Sequence, residues 1–289
     1  MGSSRIKYFI SLLTLISLSA CESDVSLVNL PEFKQKLAIS AFISPSETIS
    51  YFFVTSNKNL YGELNTEEPL GNLTGFISND SIEVALETVE TGFKISHEKM
   101  PIKYGKTYEL RVSSENGLSA EATCTVPERR SFSLKADTLS VVQQYSPGQT
   151  YRQMNIIISF TDYPGEVNFY RLAGEYIGYH TYPGSDEITK HSESLWLEND
   201  LFNDNGMDGK EITQSITGFS NSFYYYDSAL IKIYLFNTEK SYYLYHKSMN
   251  NYNNSENPFS EVTPVFSNVT GGLGIFTSYT ADSVKLKLK

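Results

Sequence analysis

The 289-residue chain predicts a mainly β protein of two sandwich-like domains, the first immunoglobulin-like, with one amphipathic helix in the second. Apolar and polar residues alternate from about residue 35 to Val126, turn signals recur at short intervals, and one later segment changes to helical spacing. The 21 tyrosines and 17 phenylalanines suit strands, because their rings bury large areas on half-exposed surfaces.

The beginning of the chain has a different character. Arg5 and Lys7 precede an apolar run over 8–20 that ends in the small pair Ser19-Ala20, the layout of a secretory signal. The run is shorter than the ~20 apolar residues a spanning helix needs. Leu18-Ser19-Ala20-Cys21 also resembles the bacterial lipobox, in which the cysteine carries a diacylglycerol thioether, the chain is cut before it, and the new amino terminus is acylated, palmitate being one such chain. Several acyl chains at about 0.8 kcal/mol per buried methylene make a stable anchor. An ordinary secreted protein with an incidental cysteine is the competing explanation. Glu22 and Asp24 resemble the acidic export tags of surface lipoproteins, although a solvated tether has the same composition. The expectation is a signal peptide over 1–20, a lipidated tether over 21–34 and an outer-membrane location, with the cell surface favoured over the periplasmic face.

A first domain is expected over 35–127. In Leu118-Ser-Ala120-Glu-Ala122-Thr-Cys124-Thr-Val126 every second residue is apolar, and the same alternation runs through Ile82, Val84, Leu86 and through Tyr108, Leu110, Val112. Cys124 is therefore expected in the core, where no electropositive neighbour would activate its thiol. Tyr104-Gly105-Lys106 and Asn116-Gly117 mark turns, Pro127 ends the last strand, and Glu128-Arg129-Arg130 marks the boundary.

The second domain is expected over 128–289, with strands at Asn155 to Thr161, Val167 to Leu172 and Ala229 to Phe236. Between Thr238 and Tyr252 the residues Tyr242, Tyr245, Met249 and Tyr252 fall at helical spacing, with Asn237 or Thr238 available as cap. That stripe suits a packing face or a ligand platform. Val284, Leu286 and Leu288 alternate with lysines, a pattern that discourages unwanted edge pairing.

The formal net charge of −10 becomes more negative once Arg5 and Lys7 leave with the signal, and no basic block interrupts it, so nucleic acid is excluded as a partner class. With Cys21 lipidated, Cys124 has no partner for a disulfide. His97, His180, His191 and His246 lack zinc-site spacing, there is no phosphate-cradling glycine loop or nucleophile elbow, and Ser96-His97-Glu98-Lys99 lacks the companion elements of a serine–lysine enzyme. Carboxylate pairs drawn from distant strands stay open.

Three weaker constellations remain. The loop from Asp200 to Glu211 gathers oxygens on Asp200, Asp204, Asn205 and Asp208, the ligand type calcium takes, but Gly206 occupies the third position counted from Asp204, and a plain Asn/Asp/Gly turn competes. Asp-hydroxyl-aliphatic triplets at Ser81, Thr138, Ser228 and Ser283 resemble the O-glycosylation signal of certain periplasmic and surface bacterial proteins, although strand entrances favour the same triplets. Tyr224, Tyr225 and Tyr226 are candidate ligand contacts, and since neighbours on a strand alternate faces, at least one belongs to a core.

Near the end the chain runs Asn257-Pro-Phe-Ser-Glu261 and then Phe266-Ser-Asn268-Val-Thr-Gly271-Gly272-Leu-Gly274-Ile-Phe276. These residues resemble the signature of a lipoprotein family catalogued as domain of unknown function 4249. The lipobox, the Gly105 to Leu110 strand, the Ala120 to Pro127 strand end, the Asp200 to Gly209 loop and the helix follow in that family's order. The glycines permit positive φ and close backbone approach, so Phe266 and Phe276 are expected to turn into the core, in either a structural corner or a docking surface.

The resemblance implies an association with TonB-dependent outer-membrane receptors and carries no catalytic residues. The expected function is a non-enzymatic, cofactor-free accessory protein that assists such a receptor in nutrient uptake, its ligand unspecified. An adhesin or pilus-like subunit that exchanges the Ser283 to Lys289 strand, and a surface hydrolase, are the alternatives.

Overall fold

The computed structural model describes residues 33–58, 69–130, 132–146, 149–182, 184, 187–220, 226–253 and 264–288. The expected signal, Cys21, Tyr224 and Tyr225 lie outside them. Among the described residues the protein is mainly β with one helix, and from Gln35 onward it forms one compact unit.

The alternating stretch before Val126 yields β1 (Leu37–Ile43), β2 (Ile49–Ser56), β3 (Leu73–Ser78), β4 (Glu83–Ala85), β5 (Glu87–Val89), β6 (Gly92–Ser96), β7 (Thr107–Ser114) and β8 (Ser119–Thr125). Two sheets result, one in the order β5-β6-β2-β1 and one in the order β4-β3-β7-β8. Their inward residues share one core, Ile39, Phe52 and Phe93 from the first facing Ile77, Leu110 and Cys124 from the second. Burying each such side chain contributes about 1.5–3 kcal/mol, which rewards strict alternation. The Ile82–Leu86 alternation is interrupted: the chain passes from one sheet to the other at Leu86, whose N–H donates to the Gly75 carbonyl, so Ile82 stays exposed.

The later strands are longer: β9 (Lys135–Ser146), β10 (Gln149–Thr161), β11 (Phe169–Thr181), β12 (Ile188–Leu197), β13 (Leu201–Asn203), β14 (Glu211–Ser220), β15 (Ser228–Thr238) and β16 (Leu273–Leu288). They run β16-β15-β11-β12-β14-β10-β9, with β13 beside β11. β12 pairs with β11 through Leu195 and with β14 at Trp196 and Leu197, so the sheet turns a corner there. A second core, including Ile156, Phe160, Tyr170, Ile216, Ile231 and Ile233, is built on one of its faces.

One strand belongs to both halves. β16 pairs in parallel with β1 over Leu273–Ser278 and antiparallel with β15 over Tyr279–Leu288, so a single 12-stranded sheet runs through the molecule. Val269 and Phe276, assigned by sequence to the second domain, thus sit in the first core, while Phe266 stays half-buried outside it. A return from distant sequence leaves no periodic mark, which is why the linear boundary at 127/128 misses it.

The helix α1 (Lys240–Asn253) starts one step later than expected. Its cap is Glu239, whose carbonyl accepts from Tyr243 N and whose carboxylate accepts from Thr125 N at 3.3 Å and Thr277 Oγ1 at 3.1 Å. Burial raises that carboxyl above its ordinary range. Tyr242 and Tyr245 pack on Phe42 of β1, whereas Tyr252 at the far end is 49% exposed.

Candidate binding groove

Side chains alternate across a strand, so β11, β12 and β15 present a second face away from the core. Arg171, Ala173 and Glu175 lie on it from β11, Ser192, Ser194 and Trp196 from β12, and Lys232, Tyr234 and Phe236 from β15. Two open hollows cover this face and meet at Ala173, whose methyl keeps the floor low.

The first hollow, about 630 Å³, is walled by Glu47, Glu175, Lys232, Tyr234, Phe236 and Tyr279. Tyr234 Oη donates to Glu175 at 3.1 Å and Ser192 Oγ donates to the same carboxylate. These bonds, that from Ser192 foremost, hold the Glu175 carboxyl below its ordinary range, so it stands ionised. The Phe236 and Tyr279 rings lie 4.9 Å apart, and Lys232 Nζ sits 4.3 Å from the centre of the Tyr234 ring. Burial pushes the Tyr279 hydroxyl far up, so it acts as a neutral donor, reaching Glu47 at 3.4 Å.

The second hollow, about 730 Å³, has Trp196, Glu198 and Asp200 on the sheet side and Tyr243, Lys247 and Asn250 on the helix side. The three helical residues stand at i, i+4 and i+7 and so form one wall. Arg171 is fixed beneath it: Nε donates to Asp200 at 2.9 Å, Nη1 donates to Tyr242 Oη at 3.0 Å, and the same nitrogen reaches His246 Nε2 at 3.1 Å. Burial, reinforced by the guanidinium, depresses His246 to about 4, leaving a neutral ring that accepts from Arg171.

Trp196 is the chain's one tryptophan and is 64% exposed. It opposes Phe219 across the corner strands, ring centres 5.3 Å apart and planes at 35°. Asn199, held at φ 56°, turns the chain just beyond it toward β13. The sequence did hold a signal: in Ser192-Glu-Ser194-Leu-Trp196-Leu-Glu198 the tryptophan falls on the polar phase of the alternation.

The residues expected to act are dispersed. Tyr226 packs against the second core beside Tyr176. Asp204 and Asp208 come together with Asp162 and not with Asp200, their carboxylate oxygens within 4.8 Å of one another, and Asn205 lines the same small hollow as Asp204 and Asp208. Those oxygens already accept protein donors: Tyr170 Oη and Gly209 N on Asp162, Asn168 N on Asp204, and Gly165 N on Asp208. The trio can supply hard oxygen ligands, but it also ties the turn after β10 to the loop before β14. Asp200 is taken by Arg171, and Asn205 stays on the exposed loop.

Of the candidate glycosylation positions Ser81, Ser228 and Ser283 are exposed and Thr138 is half-buried. The preceding aspartates have work of their own: Asp227 accepts from Thr181 N and Asp282 from Phe132 N. Cys124 is buried and free, its thiol pushed up by desolvation.

The fold and groove define a β protein with an exposed aromatic surface on its continuous sheet. Residues 25–285 match the family model described as Domain of unknown function (DUF4249), and the chain belongs to that family. No curated protein matches the chain.

Proposed function

We propose that this is a lipid-anchored, non-enzymatic accessory protein of the outer membrane, displayed on the cell surface, that holds a nutrient for a TonB-dependent receptor. The observation that carries the binding role is the open, two-part groove centred on Ala173, each part within the roughly 300–1,000 Å³ range of small-ligand sites. The Leu18–Cys21 motif supports the anchor, and a tether over 21–34 at ~3.3–3.6 Å per residue allows a reach of at most roughly 46–50 Å from the membrane. Glu175, with its carboxyl held low, is poised as an acceptor for ligand hydroxyls; a general acid needs the opposite shift.

The test is gentle detergent extraction of the tagged full-length protein from native membranes, followed by mass spectrometry of what stays bound. Co-recovery of a TonB-dependent barrel in stoichiometric amount is the expected result. A lone, lipid-free monomer would overturn the anchor and the partnership together, and a ladder of self-copies would point to the adhesin.

A further inference from the structure

We infer that the groove binds a neutral oligosaccharide, one sugar ring lying on the Trp196 indole and the chain continuing past Ala173 toward Tyr234 and Phe236. This deepens the proposed binding role and rests on it. An indole left 64% exposed, touching Phe219 but otherwise open, keeps a large apolar face in water, where folding gains little from it. Its C–H-rich counterpart in a ligand would be the apolar face of a pyranose, whose rim of hydroxyls suits the polar groups around it.

Charge and backbone narrow the class. In the Trp196 hollow Glu198 and Asp200 are balanced by Arg171 and Lys247, with Asp200 and Arg171 already paired, so an ionic ligand of either sign finds little net attraction there, while Glu47, Glu175, Glu193 and Asp282 against Lys232 alone turn anions away from the other hollow. What remains on offer is Glu198, Lys247 and Asn250 as hydroxyl partners. A peptide bound in extended form takes much of its affinity from main-chain hydrogen bonds at a strand edge. β11 and β15, two of the three strands on this face, are paired on both sides, so over them only side chains face the groove. The two hollows share Ala173 in their linings, which suits a chain of several sugars better than a single one.

Because Trp196 is the one tryptophan, its emission reports on this site alone. The full-length protein in detergent micelles would be titrated with maltohexaose, cellohexaose, mannohexaose and xylohexaose, and with trilysine. The expected result is a saturable change of emission with at least one hexasaccharide and none with trilysine. By calorimetry Trp196→Ala should weaken that binding about tenfold or more and Phe236→Ala several-fold, the former still melting cooperatively as a folded protein despite losing its contact with Phe219. No response to any hexasaccharide at millimolar concentration, a response to trilysine alone, or full affinity in Trp196→Ala overturns the inference. A co-purifying receptor without sugar binding would leave the uptake proposal standing and this one fallen; sugar binding without a receptor would do the reverse.

Discussion

Asn268 pairs through its side-chain amide with both backbone polar groups of Phe276, Oδ1 accepting from Phe276 N at 3.0 Å and Nδ2 donating to Phe276 O at 2.8 Å. The amide thereby imitates one rung of a ladder and closes the loop that feeds β16 into the first sheet beside β1. Inside the loop Gly271 and Gly274 take φ of 76° and 103°, and a Cβ on Gly274 would run into the Ile39 carbonyl. The Ser-Asn-Val-x-Gly-Gly-Leu-Gly-Ile-Phe signature is therefore a clasp that fastens the last strand to the first core.

Removing the clasp should cost stability directly. Asn268→Ala loses three bonds, the third a long one from Nδ2 to the Thr123 carbonyl at 3.4 Å, and leaves Phe276 N and O short of partners, an expected loss of about 2 kcal/mol by urea denaturation. Gly274→Ala should cost at least as much, since its backbone conformation and its contact with β1 both reject a methyl. Wild-type midpoints in both variants would show that β16 is held by its ladders alone.

Acid sensitivity should trace to His246. Its ring stacks on Phe42 with centres 5.6 Å apart and sits against Arg171, so the folded state resists the proton down to about 4 while the unfolded chain takes it near 6.5. The contribution is complete above pH ~6.5 and is lost as pH falls toward 4, by up to about 3 kcal/mol before allowance for partial exposure. Glu239 works in the opposite sense, because a raised folded carboxyl favours the folded state at low pH and loses that effect as pH rises. The difference between wild type and His246→Asn isolates the histidine: the variant should show a flatter pH profile between 6.5 and 4. Parallel profiles would place the acid sensitivity elsewhere.

The β class was legible because burial on one face writes a period of two into the sequence, as in β7 and β8, where buried and exposed residues alternate without exception. The helix was legible for the same reason at its own period. What could not be read is anything set by pairing between distant segments. The parallel β1–β16 rungs, the junction of two hollows at Ala173 and the approach of Asp162 to Asp204 and Asp208 each depend on register across the fold. Trp196 was visible as an aromatic out of phase, but its partner Phe219 lies on a different strand whose register no local pattern gives.

The Asp162, Asp204 and Asp208 cluster should behave as a structural tie. Asp162→Ala strands the buried Tyr170 hydroxyl and frees Gly209 N, with an expected loss of about 2–4 kcal/mol. Because the three carboxylates already accept protein donors, millimolar calcium against chelator should move the melting temperature by no more than about 2 °C. A rise well beyond that, abolished in Asp208→Asn, would make the loop a calcium site instead.

Cys124 should be chemically silent until the first core opens. It is 2% exposed between Thr123 and Thr125, whose side chains face outward, and desolvation keeps its thiol protonated, with the nearby Glu239 carboxylate adding to the effect. A protonated thiol is a poor nucleophile, so iodoacetamide should leave the Cys124 peptide unmodified in the native protein and label it fully in denaturant. Substitution should follow polarity more than size. Cys124→Ala removes one sulfur from a packed core and should cost about 1 kcal/mol, whereas Cys124→Ser keeps the volume but needs a hydrogen bond and should cost more unless it borrows one from Ser278. Rapid native labelling would mean that the sheet carrying β8 opens far more readily than its closed core and the Glu239 tie to Thr125 imply.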